Sequence, residues 1–215
     1  IEIFLIYLFL TLICAFFYFI AGMSSFDSLA HAMTTIATGG FSTHDDSFGS
    51  FNSANIEWIS IVFMIVGSLP FVVYLKMMHG NWKSFFKDDQ IKLFFILIIF
   101  TIGITTAWLI LNSSEKSLHL LRISTFNVTS ILTGTGYSSS NYNSWGGFGL
   151  VIMFIIMFIG GCAGSTTGGV KIFRLQILFG SAKSQIKKLN QPHGVFVTSF
   201  NQKTVSEDTF NSVMN

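Results

Sequence analysis

Residues 3–21 read IFLIYLFLTLICAFFYFIA, nineteen positions without a charge. About 20 helical residues, each rising 1.5 Å, cross the roughly 30 Å hydrocarbon layer of a bilayer. Inside that layer every backbone polar group must find a partner within the protein, which restricts a spanning chain to helices or a closed barrel. Residues 56–78 (IEWISIVFMIVGSLPFVVYLKMM) and 91–111 (IKLFFILIIFTIGITTAWLIL) are of the same kind, and a fourth apolar run starts near Phe148. Composition agrees: of 215 residues 51% are hydrophobic and 10% charged, against about 25% charged in soluble domains, and mean hydropathy is +0.62. The expectation is an all-α, multi-pass membrane protein. The first run lacks the positive flank and cleavage site of a signal peptide and is too long for one. A net charge of +2 without a basic, aromatic-interleaved run excludes a nucleic-acid partner. Cys14 and Cys162 lie in apolar stretches without metal or disulfide spacing and read as inert.

The polar stretches between these runs repeat. After the first run comes SSFDSLAHAMTTIA, too short to cross, with Ser24 and Asp27 spaced as a helix-capping pair. The Gly-rich loop TGGFSTHDDSFGSFNSAN follows. After the third run come HLLRISTFNVTSIL and TGTGYSSSNYNSWGG. A gapless shift of 96 residues places Ser28 on Ser124, Ile36 on Leu132 and Gly40-Phe41-Ser42 on Gly136-Tyr137-Ser138; one inserted residue would instead place Thr38-Gly39 on Thr133-Gly134. An internal repeat of this kind governs the architecture: tandem span–pore helix–filter loop–span units at 1–79 and 91–180, a connector at 80–90, a linker at 181–205 and the start of a further helix at 206–215. Pro70 is expected to kink the second span, and VFVTSF near the end alternates like a short strand. Lys76, Lys83, Lys87 and Lys92 around the connector, with Lys171, Arg174, Lys183, Lys187 and Lys188 after the fourth run, put connector and tail in the cytoplasm by the positive-inside rule. Each Thr/Gly loop then dips in from outside and returns.

A non-helical loop at membrane depth is tolerated where it lines a polar cavity. Glycine lets successive carbonyls face one way, threonine adds hydroxyl oxygens, and such oxygens replace the hydration shell of a monovalent cation. The partial negative charge at the C-terminal end of the preceding short helix favours the same guest. ATGGF and TGTGY contain no carboxylate, which argues against Ca²⁺ or Mg²⁺. Phe41 and Tyr137 read either as props behind the loops or as interfacial anchors.

HAMTTIATGGFSTHD, TGTGYSS and, above all, MFIGGCAGSTTGGVKIFR resemble the Trk/Ktr/HKT superfamily of potassium transporters, its TrkH type in particular. The resemblance covers essentially the whole chain. It implies four linked span–pore helix–span units around one ion path, of which this chain looks like the second and third: half a pore, not conducting alone. It implies filter strands Ala37-Thr38-Gly39-Gly40-Phe41 and Thr133-Gly134-Thr135-Gly136-Tyr137, with Gly40 and Gly136 as the key glycines. The transported ion would be K⁺, with Na⁺ the alternative because neither strand matches the TVGYG of potassium channels. It implies further a bacterial inner-membrane protein, a homodimer, a cytoplasmic nucleotide-binding regulatory subunit and no bound cofactor.

The fourth run is interrupted by GGCAGSTTGG, residues 160–169. Five glycines, each costing about 1 kcal/mol against alanine in a helix, argue against a continuous helix. Gly160, Gly161, Gly164, Ser165, Thr166, Thr167, Gly168 and Gly169 are read as an intramembrane loop that obstructs the path below the filter, a gating role the resemblance implies too; the alternative is close helix packing through Gly160, Gly164 and Gly168. GSTTGGVK is not a nucleotide-binding loop, since no Lys follows the required glycine, and nothing serves Ser165 as a base; an enzyme is not expected. Lys171 and Arg174 are read as membrane anchors or as contacts to the loop or a regulator. His31 reads as a hydrogen-bonded structural residue behind the filter, His44-Asp45-Asp46 as a solvated outer mouth, and Arg122 as snorkelling or ion-paired. Asn127-Val-Thr is a glycosylation match inside a pore helix and is discarded. Two rival readings are a carrier with re-entrant hairpins, which should show inverted repeats and a cationic site, and a non-transporting scaffold whose loops only pack.

Overall fold

The computed structural model describes residues 1–113, 116–191, 199–201 and 203–204. Helix α1 (Glu2–Ile20) is followed by the short α2 (Ser25–Ile36) and a 3-10 turn at Ser47–Phe51. Then come α3 (Ala54–Gly67), α4 (Phe71–Met78), α5 (Lys83–Lys87) and α6 (Asp89–Asn112). The second half has α7 (Ser117–Leu132), a 3-10 turn at Tyr142–Trp145, α8 (Gly146–Ile156) and α9 (Ile172–Asn190). Two residues of VFVTSF form β1 (Ser199–Phe200), antiparallel to β2 (Lys203–Thr204). The helix start expected at 206–215 lies outside the described residues.

Helices α1 and α6 are each long and apolar enough to cross a membrane unbroken. Both expose apolar side chains along their outer faces, among them Phe4, Phe9, Phe16, Ile96 and Phe100, as lipid-facing helices do. The capping pair is present: the Asp27 N–H donates to the Ser24 hydroxyl at 3.1 Å, and that hydroxyl donates to the Asp27 carboxylate at 2.6 Å. One core cluster gathers Cys14, Tyr18, Ile36, Phe48 and Met64 around Phe126 and Tyr137 from the second half of the chain. The other gathers Phe94, Ile98, Val128, Leu132, Cys162 and Ile172. Both cysteines are free and buried.

The expected kink at Pro70 is a full break. α3 and α4 meet at 87°, with residues 68–70 between them. A proline kink would leave the helical ladder largely intact. Here the freed groups are satisfied from far along the chain: the Gly67 carbonyl accepts from the Thr166 N–H at 3.3 Å, the Ser68 carbonyl from the Cys162 N–H at 3.1 Å, and the Phe71 N–H donates to the Gly164 carbonyl at 2.9 Å. The interruption between α8 and α9, residues 157–171, supplies those partners. Two broken helices thus complete each other's backbone hydrogen bonding, as an apolar surrounding demands.

Candidate functional site

Both Thr/Gly loops leave their helices through the same device. At the end of α2 the Thr38 N–H donates to the Thr35 carbonyl at 3.1 Å and the Gly39 N–H to the Thr34 carbonyl at 2.7 Å. At the end of α7 the Gly134 N–H donates to the Ile131 carbonyl at 2.9 Å and the Thr135 N–H to the Ser130 carbonyl at 2.9 Å. This pair of bonds is the Schellman cap, which needs a left-handed residue just past the helix. Gly134 supplies it at φ 69°; in the first loop Thr38 is held there at φ 49°. Gly40 and Gly136 are left-handed as well, at φ 68° and 87°. Every one of these equivalences falls at a separation of 96, so the backbone selects the gapless register and aligns Gly40 with Gly136.

Side chains continue the correspondence. Thr34 donates to the Phe41 carbonyl at 2.9 Å, and Ser130 to the Tyr137 carbonyl at 2.7 Å. His31 is fully buried, its Nδ1 2.8 Å from the Asp27 carbonyl and its Nε2 3.0 Å from the Ser42 hydroxyl, the structural role expected of it. Asn127, its equivalent 96 residues on, donates to the hydroxyls of Ser139 and Ser140 at 3.1 and 3.2 Å. Each short helix therefore pins the strand that leaves its loop. At the start of α2, hydrogen bonds from Ser24 and Thr43 hold the Asp27 carboxyl below the usual carboxylate range. His44 lies beside Asp27, Nε2 to Oδ1 3.6 Å, while Asp45 and Asp46 are exposed. Arg122 is ion-paired: its Nε is 3.4 Å from Oε2 of Glu57, which is buried in the first turn of α3.

The two loops touch. A Cβ added to Gly40 would lie 1.9 Å from the Thr135 carbonyl oxygen, whereas the same position on Gly136 is open. Here glycine permits a backbone approach closed to any other residue. The aromatic pair is asymmetric. Tyr137 is 1% exposed and its hydroxyl reaches Thr34, Thr35 and the His31 carbonyl. Phe41 is 77% exposed within this chain, so contacts of the chain itself make a prop of Tyr137 and not of Phe41.

Residues 160–169 lie against both loops. The Thr166 hydroxyl is 2.8 Å from the Ile36 carbonyl and 3.0 Å from the Gly67 carbonyl, and Thr38 donates to it at 3.4 Å. The Gly168 nitrogen is 3.6 Å from where a Gly134 Cβ would stand. Gly164 and Gly169 are left-handed at φ 79° and 73°, so the packing of a continuous glycine-striped helix is excluded. The segment crosses itself closely: a Cβ on Gly160 would meet the Gly168 carbonyl at 2.0 Å, and one on Gly161 would meet the Thr167 side chain at 2.8 Å. Ser165 donates to the Cys162 carbonyl at 2.6 Å and contacts Thr167 at 2.9 Å. Lys171 donates to the Thr167 carbonyl and, at 3.0 Å, to its hydroxyl. Arg174, one turn further, is exposed. A residue sequence reasoning missed is Gln90. Its buried side-chain oxygen accepts from the Ala163 N–H at 2.8 Å. Its signal was visible: an uncharged amide at the head of an apolar run.

The cation transport protein family TrkH matches residues 2–214. The Trk system potassium uptake protein TrkI of Halomonas elongata is 37% identical over 210 residues, 97% of this chain and 42% of that protein. TrkH of Escherichia coli K12 is 33% identical over 212 residues, 97% of this chain and 44% of that protein. The crystal structure of the potassium transporter TrkH from Vibrio parahaemolyticus superposes with a TM-score of 0.94 at 30% identity, covering 99% of this chain and 46% of that one. The chain thus spans less than half the length of these relatives.

Proposed function

Because the chain belongs to the TrkH family of cation transport proteins and has the helical fold of a TrkH membrane transporter, we propose that it forms two of the four tandem units, the last span broken, that line a potassium uptake path. In this reading Ala37–Phe41 and Thr133–Tyr137 are two filter strands, presenting backbone oxygens to a dehydrating K⁺, with Na⁺ the competitor. Residues 160–169 are the gate beneath them, with Lys171 bracing the gate from within. Further units of the same protein complete the path in a bacterial inner membrane, and a second copy and a cytoplasmic nucleotide-binding subunit are the partners.

The observation that carries the reading is the seating of residues 160–169 on the undersides of both loops, through Thr166 on Ile36 and Thr38 and through Gly168 beside Gly134. In this reading the segment blocks the path between the loops, and moving it means giving up its bonds to Ile36, Gly67 and Ser68. The C-terminal ends of α2 and α7, each carrying a partial negative charge, both lie beside this segment, at Ile36 and Gly134. The test is cation uptake by the complete protein carrying Gly136→Ser, a position with room for a side chain but a left-handed backbone. A fall in K⁺ over Na⁺ preference is expected; uptake and preference both unchanged would refute the assignment of the filter.

A further inference from the structure

We propose that Tyr137 is a specificity-determining positioning residue, the middle of a one-directional chain of four hydroxyls that starts at Tyr18 and ends on the Phe41 carbonyl. The proposal rests on the filter reading above and deepens it: an aromatic of the second loop sets the direction of a backbone oxygen in the first.

The distances lay out the chain. The Tyr18 hydroxyl is 2.9 Å from that of Thr35, Thr35 is 3.2 Å from the Tyr137 hydroxyl, Tyr137 is 2.5 Å from Thr34, and Thr34 is 2.9 Å from the Phe41 carbonyl oxygen. Four elements contribute: α1, α2, the second loop and the first loop. Tyr18 and Thr35 are wholly buried and Tyr137 nearly so, so water does not compete for the first three hydroxyls, while Thr34 is half-buried and its bond to the Phe41 carbonyl is open to solvent.

Hydrogen counting and distance together assign the direction. A hydroxyl carries one hydrogen and accepts through its lone pairs. The Phe41 carbonyl can only accept, so Thr34 spends its hydrogen there. The Ala30 and His31 carbonyls are also near Thr34, at 3.1 and 3.2 Å, but they lie within α2 and are farther away. With the Thr34 hydrogen committed, the 2.5 Å contact is donated by Tyr137. Tyr137 then accepts from Thr35, and Thr35 from Tyr18. This assignment gives each of the four links its own hydrogen, with the His31 carbonyl, 3.2 Å from the Tyr137 hydroxyl, the more distant competitor for the Tyr137 hydrogen. In such a chain each bond polarises the next and strengthens it.

The second loop lacks this arrangement. Its equivalent carbonyl, that of Tyr137, accepts from Ser130 on its own short helix at 2.7 Å. Both outer oxygens accept from their own short helix, but only in the first does the donor, Thr34, itself accept from a residue 103 positions away. On the filter reading, an oxygen whose direction is set by a chain of bonds contributes to discrimination between cations of different radius. The effect belongs to preference between ions rather than to total flux.

The experiment uses the complete protein in cells or liposomes and measures K⁺, Rb⁺ and Na⁺ uptake for Tyr137→Phe, Tyr18→Phe, Thr34→Val and Thr34→Ser, with Gly136→Ser as control. Tyr137→Phe and Thr34→Val should lower K⁺ over Na⁺ preference by about 5-fold, the scale of one net hydrogen bond. Thr34→Ser keeps the hydroxyl and should keep the preference. Tyr18→Phe removes only the first link and should fall between. A merely structural Tyr137 would lower uptake of all three ions in proportion, and that outcome overturns the proposal. So does Thr34→Ser behaving like Thr34→Val, a comparison that stands even where Tyr137→Phe fails to reach the membrane. If Gly136→Ser alters preference while Tyr137→Phe and Thr34→Val do not, the hydroxyl chain fails and the filter reading survives. If Gly136→Ser alters nothing, the filter reading fails and takes the hydroxyl chain with it.

Discussion

The Thr166 hydroxyl sits 2.8 Å from the Ile36 carbonyl oxygen, a bond between residues 130 positions apart. Ile36 is the last residue of α2, so the orphan oxygen at that helix end is met by the segment that interrupts the last long apolar run. The same hydroxyl lies 3.0 Å from the Gly67 carbonyl at the break between α3 and α4. One side chain thereby ties together a short-helix terminus and two broken helices.

Thr166→Val keeps the shape and removes the hydrogen bond. A net contribution of about 1–2 kcal/mol to the seated position corresponds to a shift of about 5- to 30-fold in the fraction unseated. Rubidium uptake by the complete protein should rise accordingly at equal protein levels. Uptake equal to the unsubstituted protein would mean that the segment is not held by this bond.

Gln90→Leu leaves the Ala163 N–H without its acceptor in a buried place, at a cost of about 1–3 kcal/mol. Gln90→Glu retains an acceptor at the same position. Thermal unfolding in detergent should rank the unsubstituted protein first, the Glu variant next and the Leu variant last. A Leu variant as stable as the original would show that Ala163 finds another partner.

Glu57 and Arg122 join α3 to α7 across the two halves of the chain. Removing one member leaves the other charge buried, and breaking such pairs costs about 3–5 kcal/mol; the partial exposure of Arg122 places this pair at or below the low end. Glu57→Ala and Arg122→Ala should each destabilise more than half as much as the double variant. A double-mutant cycle on unfolding midpoints measures the coupling; additive losses would deny it.

Gly40→Ala drives a Cβ to 1.9 Å from the Thr135 carbonyl, a backbone atom that cannot swing aside. Gly136→Ala meets nothing within 4 Å and bears only the left-handed backbone cost of about 1–2 kcal/mol. The first variant should be lost from the membrane fraction or lack selective uptake, and the second should fold. Equal behaviour of the two would contradict the close approach of the loops.

What could be read from the sequence was what is decided locally or by repetition. Ser24 and Asp27 announce a helix start because the bond they make spans three residues. The two loops were recognisable because each supports the other, though their register stayed open by one residue until Thr38 and Gly134 proved equally left-handed. Pro70 was legible as a disturbance, but not as an 87° break, because its freed backbone groups are met by Cys162, Gly164 and Thr166. The difference between Phe41 and Tyr137 was equally out of reach: both follow a glycine at the same repeat position, and it is packing against Phe48 and α2 across the fold that buries Tyr137. Gln90 escaped notice for the same reason, its partner being 73 positions away.

The mating of the two breaks also sets an order of events during biosynthesis. Gly67 is made 99 residues before Thr166, and ribosomes add about 5–20 residues per second. For about 5–20 s the second crossing exists without the groups that satisfy its bend, and lipid offers none. Its final shape is therefore acquired late: the early segment waits in the insertion machinery, or as a straighter rod, until the nascent chain delivers its counterpart. A ribosomal pause between the two would lengthen that wait and expose the unfinished protein to quality-control proteases.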